Sequence, residues 1–378
     1  MTGTTFPSRS VALTLLAQVR DRLLRAAKAL LAEFVAQKQQ QLQQLRASTA
    51  ERPAAERLQS RLEFLQQLTE QLRTLLESLP SPSQRLRKRL EKALSVAAKL
   101  LTEQSQPAAK DRLISGVDDE ARLGKHGEFY RGYSVDLSMD ADSELITAIN
   151  VLPANGAEAA DAIDLIGQEE NAQGNDVQGL SIDGAGYNGP VLRTLMAPDG
   201  LNLDVTVPVP QTTLRPGFAP DRFSLTVIDE NTAELKCPNQ QTTRRRERID
   251  RDTGYKYRFR AAQCSACPLR RECLPNPDSS RARQVTKNDY EAEYRRVQQK
   301  VDTAAYEQTR KTHTKVERKL GEMARHHGAR QARYRGRAKA QIQATLTGWV
   351  INVKRIVQLL GQKMKAAFTG KTLRAEMA

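Results

Sequence analysis

The sequence predicts a mixed α/β chain with a long helical front end. Three observations carry this expectation. Apolar residues, chiefly Leu, recur at three- and four-residue spacing from residue 10 to residue 100. Residues 132–152 alternate with period two, as half-buried strands do. Strand-like and helix-like runs then follow one another as far as residue 197.

Residues 10–47 read as one helix, because Leu16, Val19, Leu23, Ala27, Leu30, Phe34 and Gln37 share a stripe. Ser48 to Pro53 breaks it. A second helix starts near Ala54, where Leu58, Leu62, Leu65, Leu72, Leu76 and Leu79 keep a heptad rhythm and Thr69 takes the missing seat. Residues 78–83 form a stop, and a third helix carries Leu86, Leu90, Ala93, Ala97 and Leu100. This is a helical hairpin or coiled-coil assembly, either an oligomerisation or spacer element or a DNA-binding helical module. Arg112 to Asp118 reads as a short strand ending in an acid. Strands at 132–140 and 145–152 follow, joined by a turn at Asp142-Ser143. A helix over 157–170, a strand over 177–183, a Gly-rich turn at 184–187 and a short helix over 188–197 complete this part. Residues 198–290 form a β-rich insertion with all four cysteines, 290–328 are helical, and 336–361 form a last helix. That helix carries Ile342, Leu346, Trp349, Val353, Ile356 and Leu360.

The formal net charge is +15, and it is uneven: residues 241–378 hold 33 Lys+Arg against 13 Asp+Glu, whereas the first 240 residues carry −5. A basic third of this kind suits a polyanion, whose counterions are released on binding. No apolar run approaches the roughly 20 residues a membrane span needs. Four cysteines in 378 residues are too few for a disulfide scaffold. Met1 to Arg22 has mixed charge in a helical pattern, so no signal peptide is expected. The expected location is cytoplasmic and nucleoid-associated.

Asp118 and Asp183 fall at the ends of expected strands, and Glu317 falls on an expected helix. Carboxylates so placed can converge on divalent metals. With 44 acidic residues in the chain, only the local context discriminates them. Asp118-Asp119-Glu120-Ala121-Arg122, Gly132-Tyr133 with Pro153-Ala154-Asn155, Asp183-Gly184-Ala185-Gly186-Tyr187 and Val316-Glu317-Arg318-Lys319-Leu320-Gly321 occur in that order. Ala332-Arg333-Tyr334-Arg335-Gly336 and Asn352-Val353-Lys354-Arg355 follow. This set resembles the DDE transposases of bacterial insertion sequences, which have a ribonuclease-H-like catalytic core.

The resemblance implies a ribonuclease-H-like mixed sheet, with Asp118, Asp183 and Glu317 holding two Mg²⁺ ions. It implies DNA cleavage at the element ends and strand transfer into target DNA. The first acid is Asp118 or Asp119, and alignment of Ala121-Arg122 favours Asp118. Arg310 and His313 lie on the helical face of Glu317, His313 toward phosphate or solvent rather than metal. No helix-turn-helix precedes the first acid, so a catalytically inactive or truncated DNA-binding derivative is the alternative.

Cys237, Cys264, Cys267 and Cys273 can supply four thiolates to a structural Zn²⁺, or stand as reduced thiols in a β-hairpin. Arg244, Arg245, Arg246, Arg270 and Arg271 make the insertion a candidate phosphate clamp. Arg318, Lys319, Arg333 and Arg335 extend the candidate DNA-binding set. The expected organisation is a helical region over 1–108, a first core part over 109–197, the insertion over 198–290 and a helical remainder with basic tail over 291–378. The expected partners are double-stranded DNA and, on it, a second copy as a homodimer.

Overall fold

The computed structural model describes residues 9–79, 83–105, 111–156, 158–198, 200–210, 217–229, 232–249 and 253–376. The stop expected at 78–83 lies partly outside these residues, and the boundary expected at 108/109 lies wholly outside them. Among the described residues no helix is long and apolar enough to cross a membrane. The chain forms two compact units.

The first unit comprises Met1–Leu137, Leu145–Ala157 and Lys319–Ala378. It opens with four helices, α1 (Arg9–Ala27), α2 (Ala32–Ser48), α3 (Ala54–Ser78) and α4 (Gln84–Ser105). The single helix expected over 10–47 is thus two. Leu30 and Leu31 both donate their amides to the Ala27 carbonyl, which turns the chain without Gly or Pro. The turn lets Leu30, Leu31 and Phe34 pack on the same core as Leu23, Leu65, Leu72 and Leu90. Thr69 is buried in this core, and its hydroxyl donates to the Leu65 carbonyl at 2.7 Å. That bond satisfies a polar group at an apolar seat.

Residues 112–118 do not form the expected strand; they lie against the helices. The Leu113 amide donates to both oxygens of buried Glu103, at 2.9 and 3.1 Å. The Gly116 amide donates to Gln18 at 3.1 Å, and the Gly116 carbonyl accepts from Arg22 at 3.2 Å. Side chains of α1 and α4 therefore take the bonds a sheet would have supplied. Gly116 is required here, because a Cβ would stand 2.6 Å from the Val19 nitrogen.

A three-stranded sheet follows, with order β1 (Arg122–His126), β2 (Glu128–Met139), β3 (Ile146–Pro153). β1 pairs antiparallel with β2. Its sequence, Arg-Leu-Gly-Lys-His, gives too little alternation to be read as a strand. The open edge of β3 is covered by α11 (Arg337–Glu376), which extends beyond the 361 expected from its stripe. Asn352 accepts from the Ile146 amide and donates to the Ile146 carbonyl, both at 2.8 Å. Gln341 accepts from the Val151 amide and donates to the Ile149 carbonyl, both at 2.7 Å. Two side-chain amides thus stand in for a fourth strand.

The second unit comprises Ser138–Glu144 and Glu158–Arg318. α5 (Glu158–Gln173), β4 (Gly179–Ser181), α6 (Gly189–Met196) and β5 (Asp204–Thr206) come first. β4 and β5 are parallel, as a strand–helix–strand connection requires. Leu192, Leu195, Met196, Val205 and Val207 pack with Val297 of α9 (Glu291–Gln298) beneath them. The helical run expected over 290–328 is α9 followed by α10 (Ala304–His326). The insertion holds two small sheets, β6 (Ser224–Val227), β7 (Ala233–Lys236) and β8 (Thr242–Thr243), then β9 (Arg246–Arg248), β10 (Gly254–Arg258) and β11 (Gln284–Asn288). Two short helices, α7 (Ala261–Ser265) and α8 (Arg270–Cys273), complete it. Phe223, Leu235, Tyr257, Phe259 and Val285 form its own core. The architecture is mixed α/β with several small sheets, and the described residues form no single mixed sheet.

Asn352→Ala strips two backbone groups of Ile146 of their partner, at about 1–3 kcal/mol each when such groups stay buried. Urea unfolding should show a loss of about 2–6 kcal/mol. A loss within experimental error would mean that water satisfies the β3 edge equally well.

Candidate active site

Asp183 follows β4 and caps the 3-10 turn Gly184–Gly186, accepting the Ala185 amide at 3.0 Å. Its carboxylate stays exposed. On α10, Arg310, His313 and Glu317 are spaced by three and four residues and share one helical face. His313 Nδ1 lies 3.2 Å from the Ser181 hydroxyl at the end of β4. Asp183 and Glu317 both act on this imidazole. Burial and the positive charge of Arg310 lower the His313 pKa below its ordinary value, and the two carboxylates only partly oppose them. His313 is accordingly neutral near pH 7. Arg310 carries a buried Nη1 that meets no acceptor among the described residues. A buried cationic donor without a partner is costly and is satisfied by an anion such as phosphate.

The first acid lies in the other unit, where three consecutive acids do three different things. Tyr133 donates its hydroxyl to Asp118 at 2.7 Å. Asp119 pairs with Arg22 at 2.9 Å and with Lys92 at 3.7 Å. Burial would raise the Asp119 pKa, but the hydrogen bond and charge of Arg22, with Lys92, hold it below the ordinary carboxylate value. Glu120 accepts the Arg337 amide at the start of α11 at 2.8 Å. Asp119 and Glu120 are thus committed to structure, which leaves Asp118 as the acid held by a single neutral phenol. Tyr133 belonged to the Gly132-Tyr133 motif, but its partner was not legible; Arg22, 97 residues from Asp119, gave no signal at all.

The cysteines gather at one end of the insertion core. Cys237, Cys264 and Cys273 pack on it, and all four are half-buried. The Cys267 amide donates to the Cys264 carbonyl, and the Cys273 amide to Leu269. Burial pushes the Cys273 thiol up; Arg283 opposes this, and Cys264, Cys237 and Cys267 add to it. No three His, Cys, Asp or Glu side chains among the described residues are arranged to hold a metal ion.

The basic candidates divide. Arg270 directs its guanidinium to the carbonyls of Pro277 at 2.9 Å, Cys264 at 2.9 Å and Ser279, so it fastens the cysteine turn instead of facing phosphate. Lys319 is buried and lies 3.9 Å from Glu322, which removes it from the candidate DNA surface. Arg244 pairs with Glu234 at 2.9 Å, Arg246 lies over the Tyr255 ring, and Arg318 lies 3.6 Å from Glu144. Arg245, Arg271, Arg333 and Arg335 are exposed.

Residues 236–357 match a family model described as Transposase DDE domain. Over that stretch, about a third of its length, the chain is similar to the DDE domain of transposases. The matched stretch holds the four cysteines, Arg310, His313, Glu317 and Asn352; Asp118 and Asp183 precede it. No curated protein and no solved structure matches the chain.

Burial, then the hydrogen bond and charge of Asp118, raise the Tyr133 pKa well above that of a free phenol. The unfolded chain ionises this phenol near pH 10, while the folded chain keeps its proton to higher pH. The stabilisation is therefore complete below about pH 10 and fades as pH rises above it. Tyr133→Phe should flatten the alkaline limb of the stability–pH curve. An unaltered limb would mean that the bond to Asp118 contributes nothing.

Proposed function

We infer that this chain is a transposase that cleaves DNA at the ends of an insertion sequence and joins them to target DNA. The reading rests chiefly on one observation: the 3.2 Å contact of Ser181 with His313 sets the end of β4, two residues before Asp183, against the α10 face that carries Arg310 and Glu317. Parallel strands β4 and β5 joined by α6, with an acid directly after β4, are consistent with a ribonuclease-H-like core.

Asp118, Asp183 and Glu317 are proposed to hold two Mg²⁺ ions, since hard divalent cations take carboxylate oxygens; no three such side chains among the described residues are already grouped as a metal site. Bound there, the ions would stabilise the attacking and leaving oxygens of an in-line displacement at phosphorus. Arg310 would bind a non-bridging phosphate oxygen. Neutral His313, held by Ser181, would add no charge to compete with a cation. Water would attack first, forming one P–O bond and breaking the one that frees the element's 3′-hydroxyl; that hydroxyl would then attack a target phosphorus and displace the target strand's own 3′-hydroxyl. Exposed Arg245, Arg271, Arg333 and Arg335 would contact backbone phosphates and position the duplex without reading bases.

A second reading, a DNA-binding derivative that cannot cut, draws on the family match, which leaves Asp118 and Asp183 outside. Nicking of an element-end duplex with Mg²⁺ separates the two. Asp183→Asn keeps an oxygen for the Ala185 amide but loses the charge. It should lower nicking at least about 100-fold, as loss of a key electrostatic contact does, and leave duplex binding intact. A variant that cuts as fast as the parent removes Asp183 from the site; a parent that binds without cutting favours the second reading.

The four cysteines are proposed to hold a structural zinc, although no three of them are already grouped as a metal site among the described residues. Cys264, Cys237 and Cys267 add to the upward push on the Cys273 thiol, a divalent cation would stabilise the thiolates, and four ligands would close the tetrahedron. One zinc per chain is expected in purified protein, lost with Cys273→Ser together with a lowered unfolding temperature. Zinc-free protein that unfolds at the same temperature as the zinc-supplemented protein would exclude the site.

A further inference from the structure

Helix α11 buries one side and leaves another bare. Ala340, Ala344, Thr347 and Ile351 are buried, on the side from which Gln341 and Asn352 reach β3. A separate stripe carries Ile342, Leu346, Trp349, Val353, Ile356 and Leu360, between 43% and 65% exposed. Val350 and Val357 widen it and are 48% and 64% exposed. Scattered apolar residues on a surface need no explanation, but a contiguous patch does.

The spacing along the stripe is four, three, four, three, four. That is the alternation of a and d seats in a heptad, the period that keeps one seam facing a partner helix. The next seats at either end are Lys339 and Lys363, both exposed, which bound the seam. Between its first and last apolar seats the seam runs about 27 Å at 1.5 Å per residue. At roughly 60–120 Å² per large apolar side chain, eight such residues present on the order of 480–960 Å². This range spans the ~800 Å² each partner contributes to a standard interface.

We propose that this stripe is the seam through which two copies of the chain associate, α11 against α11. Two features select a second copy. An apolar heptad stripe is self-complementary under a two-fold axis, so one surface serves both partners. The seats flanking the seam are Gln343, Thr345, Val350, Asn352, Val357 and Leu359, so two identical copies meet without like charges opposed. The same neutrality makes this face unsuited to nucleic acid, whose affinity comes from cations. The proposal does not rest on the cleavage reading, and either can fail alone.

Trp349, the one Trp of the chain, sits in the seam and reports on it. Full-length protein should sediment as a dimer at micromolar concentration. Its Trp emission should shift to the red on dilution, in step with dissociation. Val353→Glu places two carboxylates in an apolar seam, should weaken association at least about 100-fold, and should leave helix content unchanged. A chain that is monomeric with red emission at all concentrations overturns the proposal. A monomer with blue emission also overturns it, by showing the stripe covered within one chain. A Val353→Glu variant that still dimerises places the interface elsewhere and overturns it as well. Should Val353→Glu fail to fold, Leu346→Lys read the same way decides the question.

Discussion

An unpaired strand edge is the constraint around which the first unit is organised. β3 has a neighbour on one side only, so the backbone groups of Ile146, Ile149 and Val151 need partners. Gln341 and Asn352 supply them, eleven residues and so about three turns apart on α11. The pairing fixes both the position and the rotation of the helix, because each amide must both accept and donate along the strand edge, Asn352 at Ile146 and Gln341 at Ile149 and Val151. Gly348 lies between them, where a Cβ would stand 2.4 Å from Ile149 Cδ1. With that rotation fixed, the heptad stripe is turned away from the sheet.

The same principle, side chains standing in for a missing sheet, holds the segment that carries the first acid. Glu103, Gln18 and Arg22 bond the backbone of Leu113 and Gly116, and Ser115 accepts the amides of Val117 and Asp118. Arg22 also pairs with Asp119. The helical front end is therefore more than a spacer. A carboxylate in a loop held this way can adjust more than one fixed in a ladder, because side-chain contacts yield before backbone pairing does.

Much of this was legible in the sequence, and the remainder has physical reasons for being hidden. The leucine periodicity located three of the helical runs, since a bundle core must fall on one stripe of each helix. It missed the turn at residues 28–31 because no Gly, Pro or cap marks it; packing of Leu30 and Leu31 makes the turn. Residues 112–118 have the alternation of a strand but obtain their hydrogen bonds from side chains distant in sequence, which local pattern cannot show. β1 was missed for the opposite reason: the pairing with β2 makes it a strand despite its charged residues and Gly. Among the candidate site residues, the shared helical face of Arg310, His313 and Glu317 was legible because helical spacing is local. Tyr133 and Arg22 act across many residues of sequence, and only the fold brings them to Asp118 and Asp119.

Net charge in the basic third overstates what a polyanion would meet. Lys300 pairs with Asp204, Arg258 with Glu247, and Arg248 with Asp289 at 3.0 Å. Arg270 is occupied by backbone carbonyls, and Lys319 is buried. Each cation already engaged with protein releases little when a phosphate approaches, because the existing pair must be broken first. The salt dependence of any DNA complex is therefore governed by the smaller set of exposed arginines, Arg245, Arg271, Arg333 and Arg335 among them. Half-buried Arg310, whose Nη1 is buried on the α10 face of His313 and Glu317, differs from these: a phosphate reaching it would meet lower-dielectric surroundings, whereas the exposed cations act through the screened field of the surface.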